Sequence, residues 1–156
     1  MDWNAVLTTV IGAGIGITAT VIVDRNRWRR DASSRALEVR REAYTEFATA
    51  MNEAGEAIRA ISLGDQASEA ARDSLVREAF RASGVHAALE RVQLVAPTAV
   101  GAAAFVAFRS MRRLRDQYAA GKDPKEPEAH ALRKELEENF RTLRTLMRRD
   151  MGTEDN

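Results

Sequence analysis

Two histidines and no cysteine set the limits of catalytic chemistry in this chain. His86 has Glu90 one helical turn on, a spacing that could make an acid–base pair or half a metal site. It also falls on an apolar stripe, where a histidine is ordinarily packed, and that is the reading adopted. His130 precedes Lys134 in a charged turn and is read as inert. A di-iron bundle needs Glu-x-x-His on two helices, and the sequence has no such pair. No nucleophile elbow, phosphate loop or zinc spacing occurs. The absence of cysteine removes disulfides, thiolate metal sites and cysteine nucleophiles. No cofactor, no metal and no enzymatic activity are expected.

Arginines gather at Arg109, Arg112, Arg113 and Arg115, and again at Arg141, Arg144, Arg148 and Arg149. Such clusters could bind nucleic acid or an acidic partner. They lie among carboxylates, lack interleaved aromatics, and belong to a chain of net charge +1. They are read as solvated faces, and no nucleic-acid partner is expected.

The stretch "VIGAGIG" at 10–16 invites a dinucleotide reading, since Gly12 and Gly14 fit the first two glycines of G-x-G-x-x-G. The third position falls on Ile17, and no strand pattern follows residue 24 to build the required sheet. Residues 5–23 instead form an uncharged run; as a helix it would be about 28 Å long, close to the hydrocarbon thickness of a bilayer. Trp3 and Trp28 bracket it, and Arg25, Arg27, Arg29 and Arg30 follow with no basic residue before. These features predict a membrane span with interfacial tryptophans, its N-terminus outside and the rest cytoplasmic. With no basic n-region, a cleaved signal peptide does not fit. Thr8, Gly12, Gly16 and Thr20 form a small-residue stripe containing G-x-x-x-G, the pattern of a helix self-association face.

The elements behind these residues are helical. The chain has 156 residues, 45% apolar and 30% charged, enough for one ordinary domain. A first cytoplasmic helix is predicted over 33–62, with Leu37, Tyr44, Phe47, Met51, Ala54, Ile58 and Ile61 as its stripe; the core-facing position between Leu37 and Tyr44 holds Arg40. Gly64 ends it, and Asp65 or Ser68 caps the next. That helix is predicted as one piece over 67–95, carrying Ala71, Leu75, Ala79, Ala82, His86, Leu89 and Val92, with Val76, Phe80 and Val85 beside them. Pro97 opens a third over 98–120, with Val100, Phe108 and Leu114 in its core. Its run "TAVGAAAFVAF" is apolar all round but too short to span, so it is expected to be buried. Gly121, Pro124 and Pro127 mark the loop at 119–129. A last helix over 127–149 presents Leu136, Phe140 and Leu143.

The expected fold is all-α: an N-terminal transmembrane helix followed by an antiparallel bundle of about four helices. Residues 1–24 are the anchor, 25–32 a basic juxtamembrane segment, 33–150 the bundle and 151–156 a frayed tail. Arginine far outnumbers lysine and alanine is abundant, a composition typical of GC-rich genomes. The R-x-x-x-Y-x-x-F pattern at Arg40 or Arg41, Tyr44 and Phe47, and V-x-L-x-x-P-x-x-V at Val92, Leu94, Pro97 and Val100, resemble those of small single-pass membrane-anchored helical proteins of actinobacteria. That resemblance implies neither an activity nor functional residues.

The expected function is a membrane-anchored, non-enzymatic scaffold or interaction module at the inner membrane, with lipid, a copy of itself and a further protein as partners. The alternatives are an oligomerising membrane-active effector and, behind it, an enzyme around His86.

Overall fold

The computed structural model describes the backbone of residues 3–64 and 68–153, and the side chains of Trp28, 32–64 and 68–153. Five helices account for nearly all of it: α1 (Trp3–Leu63), α2 (Glu69–Ala82), α3 (Val85–Val95), α4 (Thr98–Ala119) and α5 (Pro127–Asp150). Among the described residues there is no strand, so the fold is all-α. The chain divides into two compact units, Met1–Glu38 and Val39–Asn156.

In the first unit the described side chains, Trp28 and residues 32–38, are all exposed. Leu37 is among them, 39% exposed, and is therefore not the core residue its spacing suggested. The buried stripe begins at Ala43 and Tyr44, because the turn between carries Arg40, whose guanidinium is committed to an ion pair with Asp150. Thr8, Gly12, Gly16 and Thr20, and Trp3, Arg25, Arg27, Arg29 and Arg30, lie outside the described side chains.

The second unit is a helical bundle. The α1 stripe continues through Phe47, Met51, Ala54 and Ile58, all 2% exposed or less, with Ile61 partly buried against them. Gly64 closes α1 through its amide, which donates to the carbonyls of Ala60 and Ile61. Ser68 caps α2, its hydroxyl accepting from the Ala71 amide. Gly121, at φ +76°, turns the chain out of α4, and Pro127 sits in the first turn of α5. Phe80, Leu89, Val100, Phe108, Leu114, Phe140 and Leu143 are buried as expected, and Leu136 is partly buried.

The segment predicted as one helix over 67–95 is two. Gly84 adopts φ +68°, a conformation glycine reaches without strain, and it separates α2 from α3. The break resets the helical phase, so a single stripe cannot run from residue 71 to 92. Leu75, Ala82 and His86 are exposed, and the core positions are Val76, Phe80 and Val85. The apolar run of α4 is also not wholly buried. Val100, Gly101, Ala104, Ala107 and Phe108 face inward, while Phe105 and Val106 are 44% and 48% exposed.

Among the described residues no helix is long and apolar enough to cross a membrane. This overturns the single-pass inner-membrane placement. The described helices fail as spans for a plain reason: charges recur within a turn or two, as at Arg40, Arg41, Glu42 and Glu46 in α1, and Arg109, Arg112 and Arg113 end the apolar run of α4. Residues 5–23, on which the span was read, lie outside the described side chains.

Polar contacts fix how the helices lie. Asp150, at the end of α5, accepts from Tyr44 Oη at 2.7 Å and from Arg40 Nη1 at 3.0 Å, using both carboxylate oxygens. Between α4 and α5, buried Ser110 donates to Glu135 at 3.1 Å and accepts from Asn139 Nδ2 at 2.9 Å; Arg113 also reaches Glu135. On α3, Arg91 bridges Glu46 at 2.5 Å and Glu42 at 2.7 Å.

Leu143 is fully buried. Leu143→Ala should cost about 2–5 kcal/mol of unfolding free energy, and Leu37→Ala less than about 0.5 kcal/mol, both read from urea denaturation. Comparable losses would contradict the assigned core boundary. Gln117 is buried with neither amide atom hydrogen-bonded within the described residues. Replacing it with methionine, of similar length, should leave stability unchanged or raise it by about 1 kcal/mol; a loss above that would show that the amide is satisfied.

Burial and the hydrogen bond to Asp150 push the Tyr44 phenol well above its usual 10.0. The folded chain therefore holds this proton after the unfolded chain has released it. The resulting stability is complete below pH 10 and declines, by up to about 1.4 kcal/mol per pH unit, above it. In urea denaturation from pH 9 to 11, Tyr44→Phe should lose stability less steeply above pH 10 than the parent. Parallel curves would show that Tyr44 ionises alike in both states.

Candidate binding surfaces

Two surfaces of the second unit depart from an ordinary solvated bundle exterior. The first is a groove of about 680 Å³ between α1 and α5. Met51, Asn52, Gly55 and Glu56 form its α1 wall, and Met111 of α4 contributes to its floor. The α5 wall carries Leu136 and Glu137 at one end, Phe140 and Arg141 in the middle, and Arg144, Thr145 and Arg148 at the other. The clasp at Asp150 holds the two helices together at the arginine end. Gly55 adds no side chain to this wall; a Cβ there would make ordinary contact with Met111 Cε at 3.4 Å.

The walls are chemically unequal along their length. Arg144 lays its guanidinium over the Phe140 ring, 4.7 Å from the centroid, so its charge sits on top of an apolar surface. Arg141 also reaches Glu138 of its own helix at 2.5 Å. Arginines therefore crowd the end of the groove near the clasp. Leu136, Gly55 and Met111 lie toward the other end, with Glu56 and Glu137 beside them.

The second surface is the outer face of α4. Ala99, Ala102, Phe105 and Val106 are exposed together and share one helical face. Arg109, Arg112 and Arg113, all exposed, continue it. Gly101 lies against Gln93 of α3, and the next residue, Leu94, is 84% exposed.

The residues considered for chemistry take other positions. His86 stacks on Phe108 with ring centroids 5.7 Å apart. Phe108 also meets Phe80 at 5.9 Å and has Arg112 over it at 5.9 Å, while Arg115 covers Phe80. His86 is thus held by an aromatic cluster. Among the described residues no group of histidine and carboxylate side chains could hold a metal ion. The arginines of α4 are divided between partners: Arg113 turns to Glu135 and Arg115 to Asp116.

The groove was not legible as a site, because its depth depends on the spacing of α1 and α5. One signal was present, the recurrence of arginine at 141, 144 and 148 on one helical face. No family model, curated protein or solved structure matches the chain.

Proposed function

We propose that the protein is a non-enzymatic helical interaction module whose bundle engages a protein partner through the outer face of α4. The observation that carries this reading is the joint exposure of Phe105 and Val106, at 44% and 48%, with Ala99 and Ala102 on the same face. Large apolar side chains grouped on one exposed face mark interaction surfaces. Arg109, Arg112 and Arg113 border the patch and suit a polar rim around an apolar centre. Self-association is one way of covering this face, and a second protein is another.

A photo-crosslinking amino acid at position 106 should capture a discrete adduct in cells, whether a copy of the chain or another protein. The same group at Glu78, an exposed position of α2, should give only background. Equal labelling from both positions would remove α4 as the interaction face. Phe105→Asp should abolish the adduct while leaving helix content unchanged.

A further inference from the structure

We propose that the groove between α1 and α5 is a binding site for a single-chain anionic amphiphile, a long-chain carboxylate or alkyl phosphate. The inference is independent of the interaction face on α4, which lies elsewhere on the bundle.

The groove presents the two halves of such a molecule in order. At the end near Asp150, Arg144 and Arg148 stand one turn apart beside Thr145, with Arg141 a turn before them. Guanidinium groups bind a carboxylate or phosphate by charge-assisted hydrogen bonds. The Thr145 hydroxyl already donates to the Arg141 carbonyl and Arg141 pairs with Glu138, so the head contacts fall to Arg144 and Arg148. At the other end Gly55, Met111 and Leu136 line the groove. Met111 is 3% exposed, so the surface here comes from Leu136 and the bare backbone of Gly55, with the flexible thioether able to yield beneath them. Arg144 to Leu136 is eight residues of helix, about 12 Å, the reach of an alkyl chain of roughly ten carbons.

Size and polarity decide between occupants. A volume of about 680 Å³ falls in the range of small-ligand sites. A helix is about 10–12 Å wide with its side chains and would need both walls over several turns, whereas the α1 wall runs only from Met51 to Glu56; a single alkyl chain can follow the longer α5 wall. Glu56 and Glu137 at the tail end repel a second anion there and set the orientation, with the head at the arginines.

Isothermal titration of the full chain with dodecanoate, below its critical micelle concentration, tests the site. One molecule per chain should bind with a Kd of tens of micromolar or better. Dodecyltrimethylammonium, with the same tail and opposite charge, and acetate, with the head alone, should each bind at least tenfold more weakly. Arg144→Gln should weaken dodecanoate tenfold or more by removing a head contact. Gly55→Leu should do the same by filling the tail end. Circular dichroism establishes that each variant is folded. Dodecyl phosphate in place of dodecanoate reports which head group is preferred, and binding of either supports the site. Equal affinity for the cationic amphiphile would overturn the proposal, as would dodecanoate binding that neither substitution alters, since it would lie elsewhere on the chain. No binding of either anionic probe would also overturn it and would leave the α4 reading untouched.

Discussion

Helix α4 is where the packing of the bundle converges, and this follows from the angular step of a helix. Successive residues point about 100° apart, so a few neighbouring positions can address several helices. Phe108 meets Phe80 of α2 and His86 of α3. Ser110 bonds to Glu135 and Asn139 of α5. Met111 reaches toward Gly55 of α1. Such a helix needs an apolar face wide enough to meet several neighbours, and Val100, Ala104, Ala107, Phe108, Met111 and Leu114 supply it. Alanine at 104 and 107, both fully buried, lets neighbouring backbones come close.

Apolar packing alone leaves helices free to slide, and the buried polar contacts remove that freedom. Ser110 is 1% exposed and would leave an unsatisfied hydroxyl if α5 shifted by a turn. Asp150 similarly requires Tyr44 and Arg40 at one level of α1. The net stability from each bond is modest, about 1 kcal/mol, but the penalty for losing one partner in a buried site is larger. These contacts therefore act more on register than on total stability. The clasp has a further effect. It ties α1 to α5 at one end, and the groove with its arginine wall follows from that end onward.

Much of this was visible in the sequence. The spacing of Phe47, Met51, Ala54 and Ile58 reported a buried helix face because packing within one helix depends on local periodicity. Gly64, Gly121 and Pro127 announced the helix ends through backbone chemistry that is equally local. Gly84 was passed over because a lone glycine within a helical pattern is compatible with helix; only its φ of +68° shows the break. Leu37 was misplaced because periodicity carries no information about where the packing partners stop. The apolar run of α4 misled in the same way, since Phe105 and Val106 are as hydrophobic as the residues that are buried. The apolar run at 5–23 read as a span from its length, its lack of charge, the flanking tryptophans and the arginines that follow, whereas among the described residues no helix is long and apolar enough to cross a membrane.

The exposed face of α4 bears on what stability alone demands of this chain. A side chain such as Phe105 left nearly half exposed forfeits part of the 1.5–3 kcal/mol or so that full burial would return, and nothing else in the described bundle recovers it. Alanine at these positions would favour the helix more. Phenylalanine and valine here therefore add little to the core, and under the proposed function they are the centre of the contact face. The arginines that follow on the same face limit the hazard: charge beside an apolar patch disfavours indiscriminate aggregation while permitting a partner with a matching rim. The apolar residues of α4 thus fall into two groups, an inward set that packs against the neighbouring helices and an outer pair, Phe105 and Val106, that stays about half exposed.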